Sequence, residues 1–312
     1  MEKDSKIYIA GHSGLVGRAL YGKLLRQGYS NLLCASSSEL DLRNQSAVNS
    51  FFEKQKPDYV FLAAAKVGGI NANMSYPADF IYDNLQIQNN VIHSSFKNNV
   101  KKLLFLGSGC MYPKEAGQPI KEEYLLTGKL EPTNEPYAIA KLAGLSLCQS
   151  YNKQHGTNFI CGIPINLYGE GDNFDPKNSH LMAALIKRFH EAKISDDKNV
   201  VLWGSGKPRR EVLYSGDLAD ALILLMNKYN SSEAINIGSG IDYSIKELSD
   251  IVSGVIGYKG EINFDTAKPD GMMKRLLDSS KINQLGWMAK TSLEDGIRNT
   301  YSWYVCKDMT KK

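Results

Sequence analysis

The sequence predicts an α/β protein: a doubly wound parallel sheet with a smaller, discontinuous α/β lobe attached. Three observations predict it. Short apolar runs alternate with helical patterns of about 10–20 residues through the first half of the chain. A glycine-rich turn joins the first apolar run to the first helix. The length, 312 residues, exceeds the about 100–200 residues of one ordinary domain.

The elements follow in order. Lys6–Ala10 reads as a strand, and Leu15–Gln27 carries Leu15, Val16, Ala19, Leu20 and Leu24 at helical spacing. Asn31–Ala35 reads as a strand, Gln45–Lys54 as a helix, Tyr59–Ala63 as a strand and Ala78–Asn98 as a long helix. Leu103–Leu106 and Phe159–Ile163 are strands flanking a helix at Tyr137–Gln154. Right-handed crossovers then put helices on both faces of the sheet. After Ile163 the pattern loosens: helices at Ser179–Ala192, Asp217–Asn227, Ser244–Ile256 and Ser292–Tyr304, strands at Val200–Trp203 and Ala234–Ile237, and a polar stretch at Asp265–Lys274. The expected division is a first domain at 1–165, completed by about 214–240, and a second lobe built from 166–213 and 241–312.

Composition excludes several classes. At 43% hydrophobic and 22% charged the chain is neither disordered nor a coiled coil. No apolar run approaches the roughly 20 residues of a membrane span, Ala221–Met226 being the longest conspicuous one. The N-terminus enters an apolar strand within a few residues, so no signal peptide is expected and a cytoplasmic location is. Net charge is +4, from 37 basic and 33 acidic residues, and basic residues cluster only in short pairs such as Lys101-Lys102 and Arg209-Arg210. That predicts a small anionic ligand rather than nucleic acid. The five cysteines, Cys34, Cys110, Cys148, Cys161 and Cys306, are scattered without a C-x-x-C pair, so neither zinc nor a disulfide framework is expected.

Gly11-His12-Ser13-Gly14-Leu15-Val16-Gly17 has the spacing G-x-x-G-x-x-G between a strand and a helix. Glycine permits the tight turn and lets backbone approach a pyrophosphate at the positive helix N-terminus. Three glycines alone are weak evidence; the strand-loop-helix context makes them a dinucleotide signature. The end of the second strand, Ala35-Ser36-Ser37-Ser38-Glu39, bears on NAD against NADP. Serines can bond a 2′-phosphate but bring no charge, and Glu39 is either a ribose ligand or a solvated residue.

Tyr137-Ala138-Ile139-Ala140-Lys141 puts Tyr and Lys at i and i+4 on one helix face. A free phenol titrates near about 10 and a nearby ammonium lowers that value. Such a Tyr can give a proton to a carbonyl oxygen as hydride reaches its carbon. Y-x-x-x-K alone is a frequent accident. Downstream of the glycine loop, and with Ser108 at the end of the fourth strand, it points to a carbonyl reductase.

The glycine loop, Ser108, Tyr137 and Lys141 resemble the cofactor motif and Ser-Tyr-Lys triad of the extended short-chain dehydrogenase/reductase family, with its Rossmann-type fold. Ala63–Ile70, Tyr76–Ile81, Glu131–Tyr137, Asn166–Gly169 and Trp203–Gly206 narrow the resemblance to the GDP-L-fucose synthase family, over nearly the whole chain. The resemblance implies NADPH-dependent reduction of the C4 ketone of a GDP-4-keto-6-deoxy sugar with C3/C5 epimerisation, in a homodimer. It maps an epimerising acid–base pair onto Cys110 and His180. It extends the cofactor lining to Ser37, Asp41, Leu42, Ala63, Ala64, Leu106, Gly107, Pro164, Asn166, Leu167 and His180. Substrate contacts fall on Ser108, Gly109, Cys110, Tyr137, Asn166 and His180, and on the GDP side on Arg188, Trp203, Arg210, Asp270 and Arg275. No metal site is implied.

This chain departs from the family in three places. Gly109 replaces a Ser between the catalytic Ser and Cys. Tyr214 stands for His and Gly216 for Asp. Ser13 and Ser37 occupy positions that often carry Arg for the 2′-phosphate, which leaves NADH open beside NADPH. The first two departures suggest a reshaped sugar pocket. They keep a close alternative in view: C4 reduction alone, on a GDP-4-keto-6-deoxy-heptose. A dinucleotide-binding redox sensor without catalysis is a further alternative, opposed by the intact Ser108, Tyr137 and Lys141.

Overall fold

The computed structural model describes residues 1–176, 178–268 and 270–309, with side chains described as far as 307. The first half runs β1 (Ile7–Ala10), α1 (Leu15–Arg26), β2 (Leu32–Leu33), α2 (Gln45–Gln55), β3 (Tyr59–Leu62), α3 (Ile70–Ser75), α4 (Pro77–Lys97), β4 (Lys102–Leu106), α5 (Glu135–His155) and β5 (Phe159–Pro164). The second half runs β6 (Asn166–Tyr168), α6 (Leu181–Ile194), β7 (Asn199–Trp203), β8 (Arg209–Tyr214), α7 (Ser215–Lys228), β9 (Ala234–Ile237), β10 (Asp242–Ser244), α8 (Ile245–Ile256), β11 (Glu261–Asp265), β12 (Lys274–Arg275), α9 (Ser280–Gln284) and α10 (Leu293–Met309).

A six-stranded sheet in the order β2-β1-β3-β4-β5-β9 is parallel at every pairing. Strands β1, β4, β5 and β9 are buried along their whole length, which is why they read as unbroken apolar runs rather than alternation. The chain passes from β1 to β2 on one side and to β3 on the other. Such a sheet opens its binding crevice at that switch point, beyond the strands' carboxyl ends.

A second, smaller sheet joins β10, β8 and β12, with β6 also on β8, while β7 and β11 pair separately. Two apolar clusters result. One fills the large sheet; the other gathers Met182, Ile186, Phe189, Leu248, Val252 and Ile297 from α6, α8 and α10 around Leu202 and Val212. The sequence pattern missed β6, β8, β10, β11 and β12, and the short helices α3 and α9. The strands are two to six residues long and β8 opens on Arg209-Arg210-Glu211, so apolar periodicity is too brief to stand out, even in β11, where Ile262 and Phe264 do alternate with polar residues.

Two local contacts set the geometry of the site. At Gly144 a Cβ would collide with the Phe105 ring, so α5 lies unusually close to β4. The basic pair at 101–102 is split. Lys101 meets Asp58 at the surface, whereas Lys102 is buried and donates to the carbonyls of Leu225 and Met226 at the end of α7. Burial pushes its ammonium down to about 8. This is a helix cap, not a nucleic-acid patch. Among the described residues no helix is long and apolar enough to cross a membrane.

Candidate active site

The glycine loop crosses the switch point. Gly11 has φ +86, and a Cβ there would lie 2.7 Å from the Ala64 backbone nitrogen at the end of β3. At Gly17 a Cβ would strike the Gly11 carbonyl, so the helix can enter this turn only as glycine. The N-cap of α1 is Gly14, without a side-chain cap and without an acidic residue in the first turn. The helix therefore presents its positive end and uncapped N–H groups next to Ser13 and His12, whose Nδ1 is buried without a partner. These residues fit a dinucleotide pyrophosphate, with Ala63 and Ala64 walling the crevice.

Beyond β2, Glu39 takes the Ser36 N–H and hydroxyl, both at 2.7 Å. Those bonds hold its carboxyl below the ordinary range. Glu39 thus shapes the serine turn, the more modest of its two sequence readings. Asp41 is engaged by Arg43, which also reaches Asp83. Arg43 carried no sequence signal for this place. Ser37 is exposed and half-buried Leu42 packs on the large core.

Ser108 follows the carboxyl end of β4, and Tyr137 and Lys141 face it from α5. Leu106 and Gly107 lead into Ser108, whose hydroxyl accepts the Cys110 N–H at 3.3 Å and caps the single 3-10 turn Gly109–Met111. Ser108 also bonds the Tyr137 hydroxyl. Lys141, one turn along α5, donates from Nζ to the Leu106 carbonyl at 2.8 Å and lies 5.9 Å from the Tyr137 ring centre. The expected effect of the ammonium on the phenol is reversed here. Burial, then the Cys110 charge, push the Tyr137 phenol up, against the smaller effect of the Ser108 bond. Burial also pushes Lys141 down to about 8. Desolvation outweighs the ammonium because Lys141 points at a carbonyl rather than at the phenol oxygen. A phenol so raised is protonated at neutral pH, the state a proton donor needs.

The Ala63–Ile70 segment has a structural reason. Gly68 packs against Phe80, whose ring meets Tyr137 edge-on at 6.4 Å. At Gly69 a Cβ would lie 2.8 Å from the Ser179 carbonyl, and the Gly69 N–H bonds the Asn178 carbonyl. These glycines let the β3–α3 loop abut the segment that carries His180. His180 is the N-cap residue of α6 and makes no capping bond. Its ring keeps solvent contact, yet surrounding protein desolvates it enough to lower its pKa.

The second lobe contributes cations and a flat ring. Trp203 is 66% exposed at the end of β7, with Lys268 over its ring. Asp270 accepts the Ser205 N–H and hydroxyl, closing the turn beyond Trp203. Arg210 and Arg275 are partners across β8 and β12. Burial and the Arg275 charge both lower the Arg210 pKa, Asp270 opposing them. Arg275 is 8% exposed, and its Nε and Nη2 have no partner. Its Nη1 lies 3.9 Å from the Cys110 sulfur, which puts this arginine at the catalytic turn rather than out along the GDP side. Arg188 is exposed in the middle of α6. Asn166 bonds the Glu211 carbonyl and Leu167 packs on the core beside Pro164, which ends β5.

The departures resolve differently. The Tyr214 hydroxyl donates to the Glu170 carboxylate at 2.7 Å, and a Cβ at Gly216 would press the Tyr214 ring at 2.6 Å. Tyr214, Gly216 and Glu170 thus form one packed set at the turn after β6. At Gly109 a Cβ would meet Pro164 and Ile165 only at ordinary contact distance, so the missing hydroxyl leaves real space.

A doubly wound parallel sheet, a glycine turn at its switch point and a Ser-Tyr-Lys cluster at the carboxyl end of β4 define a dinucleotide-dependent oxidoreductase of the short-chain dehydrogenase/reductase class. Residues 7–238 match the NAD dependent epimerase/dehydratase family. The chain is 56% identical to GDP-L-fucose synthase 1 of Arabidopsis thaliana, over 97% of this chain and 94% of the relative. It is 49% identical to the GDP-L-fucose synthase of Escherichia coli, over 96% of each. A GDP-mannoheptose C4 reductase from Campylobacter jejuni, solved with NADP bound, superposes with TM-score 0.90 at 47% identity, covering 98% of this chain and 99% of that one. The chain belongs to the NAD dependent epimerase/dehydratase family and, within it, to the GDP-L-fucose synthase family.

Proposed function

We propose that the protein reduces the C4 ketone of a GDP-4-keto-6-deoxy sugar with NADPH and epimerises C3 and C5. One observation carries the reading: Ser108, Tyr137 and Lys141 gather with Cys110 at the end of β4, on the same carboxyl edge of the parallel sheet as the glycine loop. Bound NADPH supplies the hydride that adds to C4. Tyr137 holds the proton destined for the C4 oxygen, and Ser108 orients that oxygen through the bond it shares with the phenol. Lys141 fixes α5 against β4 and replenishes positive charge beside the phenol. Gly11 to Gly17 and the first turn of α1 hold the pyrophosphate; His12, Ser13 and Ser37 line its adenosine side.

A C4 ketone acidifies the protons on C3 and C5. Cys110 removes one and His180 returns a proton on the opposite face. Burial lowers the His180 pKa, which favours a ring that gives up its proton readily. Arg210 and Trp203 bind the nucleotide diphosphate, since guanidinium pairs bidentately with phosphate and the exposed indole offers a stacking face. Arg188 and Asp270 complete that side. Two apolar clusters support the division into a dinucleotide domain at 1–165, completed by about 214–240, and a nucleotide-sugar lobe at 166–213 with 241–312. A cytoplasmic homodimer through α4 and α5 completes the reading.

Space at Gly109, together with the likeness to a C4 reductase of a GDP-heptose, favours one second reading: reduction only, on a heptose. Turnover of GDP-4-keto-6-deoxy-mannose and its heptose counterpart, each with NADPH and NADH, separates the substrates and cofactors. Incubation in D₂O without cofactor tests the epimerase half, which fails if C3 and C5 take up no deuterium.

A further inference from the structure

Asn134 holds the N-cap position of α5 but does not cap it. Asparagine at such a position ordinarily turns its side-chain oxygen onto the free N–H groups of the first turn. Here the Asn134 oxygen is buried without a partner, and Nδ2 donates instead to the sulfur of Cys110 at 3.1 Å. The helix forgoes a bond that the residue type could supply. Arg275 approaches the same sulfur from β12, Nη1 at 3.9 Å, while its remaining nitrogens stay unpaired in a site 8% exposed. An enclosed guanidinium without a carboxylate is costly to fold around unless it serves an anion. Both groups can only donate at these atoms, and a thiol sulfur is a weak acceptor whereas a thiolate is a strong one.

We propose that Asn134 and Arg275 are positioning residues that hold the sulfur of Cys110 as a thiolate, the base form required to take a proton from the sugar. This rests on the epimerase reading of Cys110 above and adds the groups that prepare it. The thiolate takes the proton from C3 or C5, forming S–H; the electron pair left on carbon moves to the C4 oxygen as an enolate. Return of a proton to the opposite face re-forms the ketone. Arg275 and Tyr137 are the charged and titratable groups the structure sets against the sulfur, from β12 and α5. A charge on Cys110 raises the Tyr137 phenol, so the base form of one keeps the other protonated until reduction.

The test uses the full chain with exposed Cys34 and Cys306 replaced by serine, which leaves Cys110 and the buried Cys148 and Cys161. Iodoacetamide labelling of Cys110, mapped by mass spectrometry, is timed at pH 7 and at pH 10. The ratio of the two rates reports how readily the sulfur ionises and cancels changes in access. The ratio is expected to fall at least threefold in Asn134→Ala and in Arg275→Met, and about tenfold in the double variant. Asn134→Ser restores a good helix cap without the N–H donor, so it keeps the fold and still lowers the ratio. Arg275→Lys retains a cation and recovers part of it. An unchanged ratio in folded Asn134→Ser and Arg275→Met overturns the proposal. Deuterium uptake by the unaltered enzyme is read in parallel: its absence sinks the epimerase reading, whereas uptake with unchanged labelling ratios sinks only the role of Asn134 and Arg275.

Discussion

The Lys141 ammonium is bonded to the Leu106 backbone carbonyl at 2.8 Å, tying α5 to the end of β4. That single bond serves a cation otherwise surrounded by protein, and burial pushes its pKa from 10.5 down to about 8. The depressed value fixes two opposite trends. Between about 8 and 10.5 the unfolded chain binds more protons at this site than the folded one, so stability rises with pH there. Reduction, which uses the charged lysine, falls as pH rises through about 8. Lys141→Met is expected to lose turnover and raise the melting temperature at pH 7, the buried charge costing of the order of 3 kcal/mol. Calorimetry beside a turnover assay checks both; a lower melting temperature contradicts the account.

Tyr137→Phe removes the hydroxyl that bonds Ser108 while keeping the ring that meets Phe80. NADPH oxidation is expected to fall by about 100-fold or more, the usual worth of a positioned acid, with NADPH affinity within about twofold of the parent. Fluorescence titration of NADPH and initial rates measure the two. Turnover near the parent rate excludes Tyr137 as donor.

Gly17→Ala drives a methyl into the Gly11 carbonyl. The turn must open or the helix must shift, so dinucleotide affinity is expected to drop at least tenfold. Gly14→Ala is a useful partner, since a Cβ there would meet the nearest atom at 3.6 Å. Equal losses in both variants would mean that crowding at Gly17 is not what shapes the loop.

Gly109→Ser puts back the hydroxyl that the family carries, into space that accepts it. Stability is expected to change by less than about 0.5 kcal/mol, as for an unstrained substitution. The ratio of kcat/KM for the hexose substrate over the heptose one is expected to rise. An unchanged ratio removes Gly109 from the determinants of substrate choice.

Glu211 is fully buried between Gly238 and the β12–α9 segment, accepting the N–H groups of Gly240 at 2.7 Å and Leu277 at 2.8 Å. Glu211→Gln sets an amide N–H against one of those donors, at an expected cost of about 1–3 kcal/mol. Because Leu277 follows Arg275 closely, KM for the nucleotide sugar should rise more than kcat falls. Burial pushes the Glu211 carboxyl up to about 7 from 4.5, so the folded chain holds the extra proton in that window and stability declines as pH rises through it. Urea melts from pH 5 to 7 should show that decline in the parent and lose it in the variant.

The large sheet was legible because its strands are buried on both faces and its helices carry a 3.6-residue stripe. The glycine loop and the Tyr137–Lys141 pair were legible because each lies within one turn of chain, where spacing alone fixes geometry. The second lobe was not. Strand β12 is Lys274-Arg275, and nothing in two basic residues announces a strand; pairing with β8 makes it one. Glu211 drew no role from the sequence, and burial with backbone N–H partners makes it an internal strut.

By itself, the sequence determined a parallel α/β sheet, a glycine turn between its first strand and first helix, and a Tyr–Lys pair on one helix face, since each depends on residues near one another along the chain. Tertiary structure alone decided how those groups are tuned. Burial, not the neighbouring ammonium, sets the Tyr137 phenol. Asn134 and Arg275, 24 and 165 residues from Cys110, meet at its sulfur. Desolvation and contact between distant segments exist only once the chain has closed on itself, and they govern which groups are charged where the chemistry occurs.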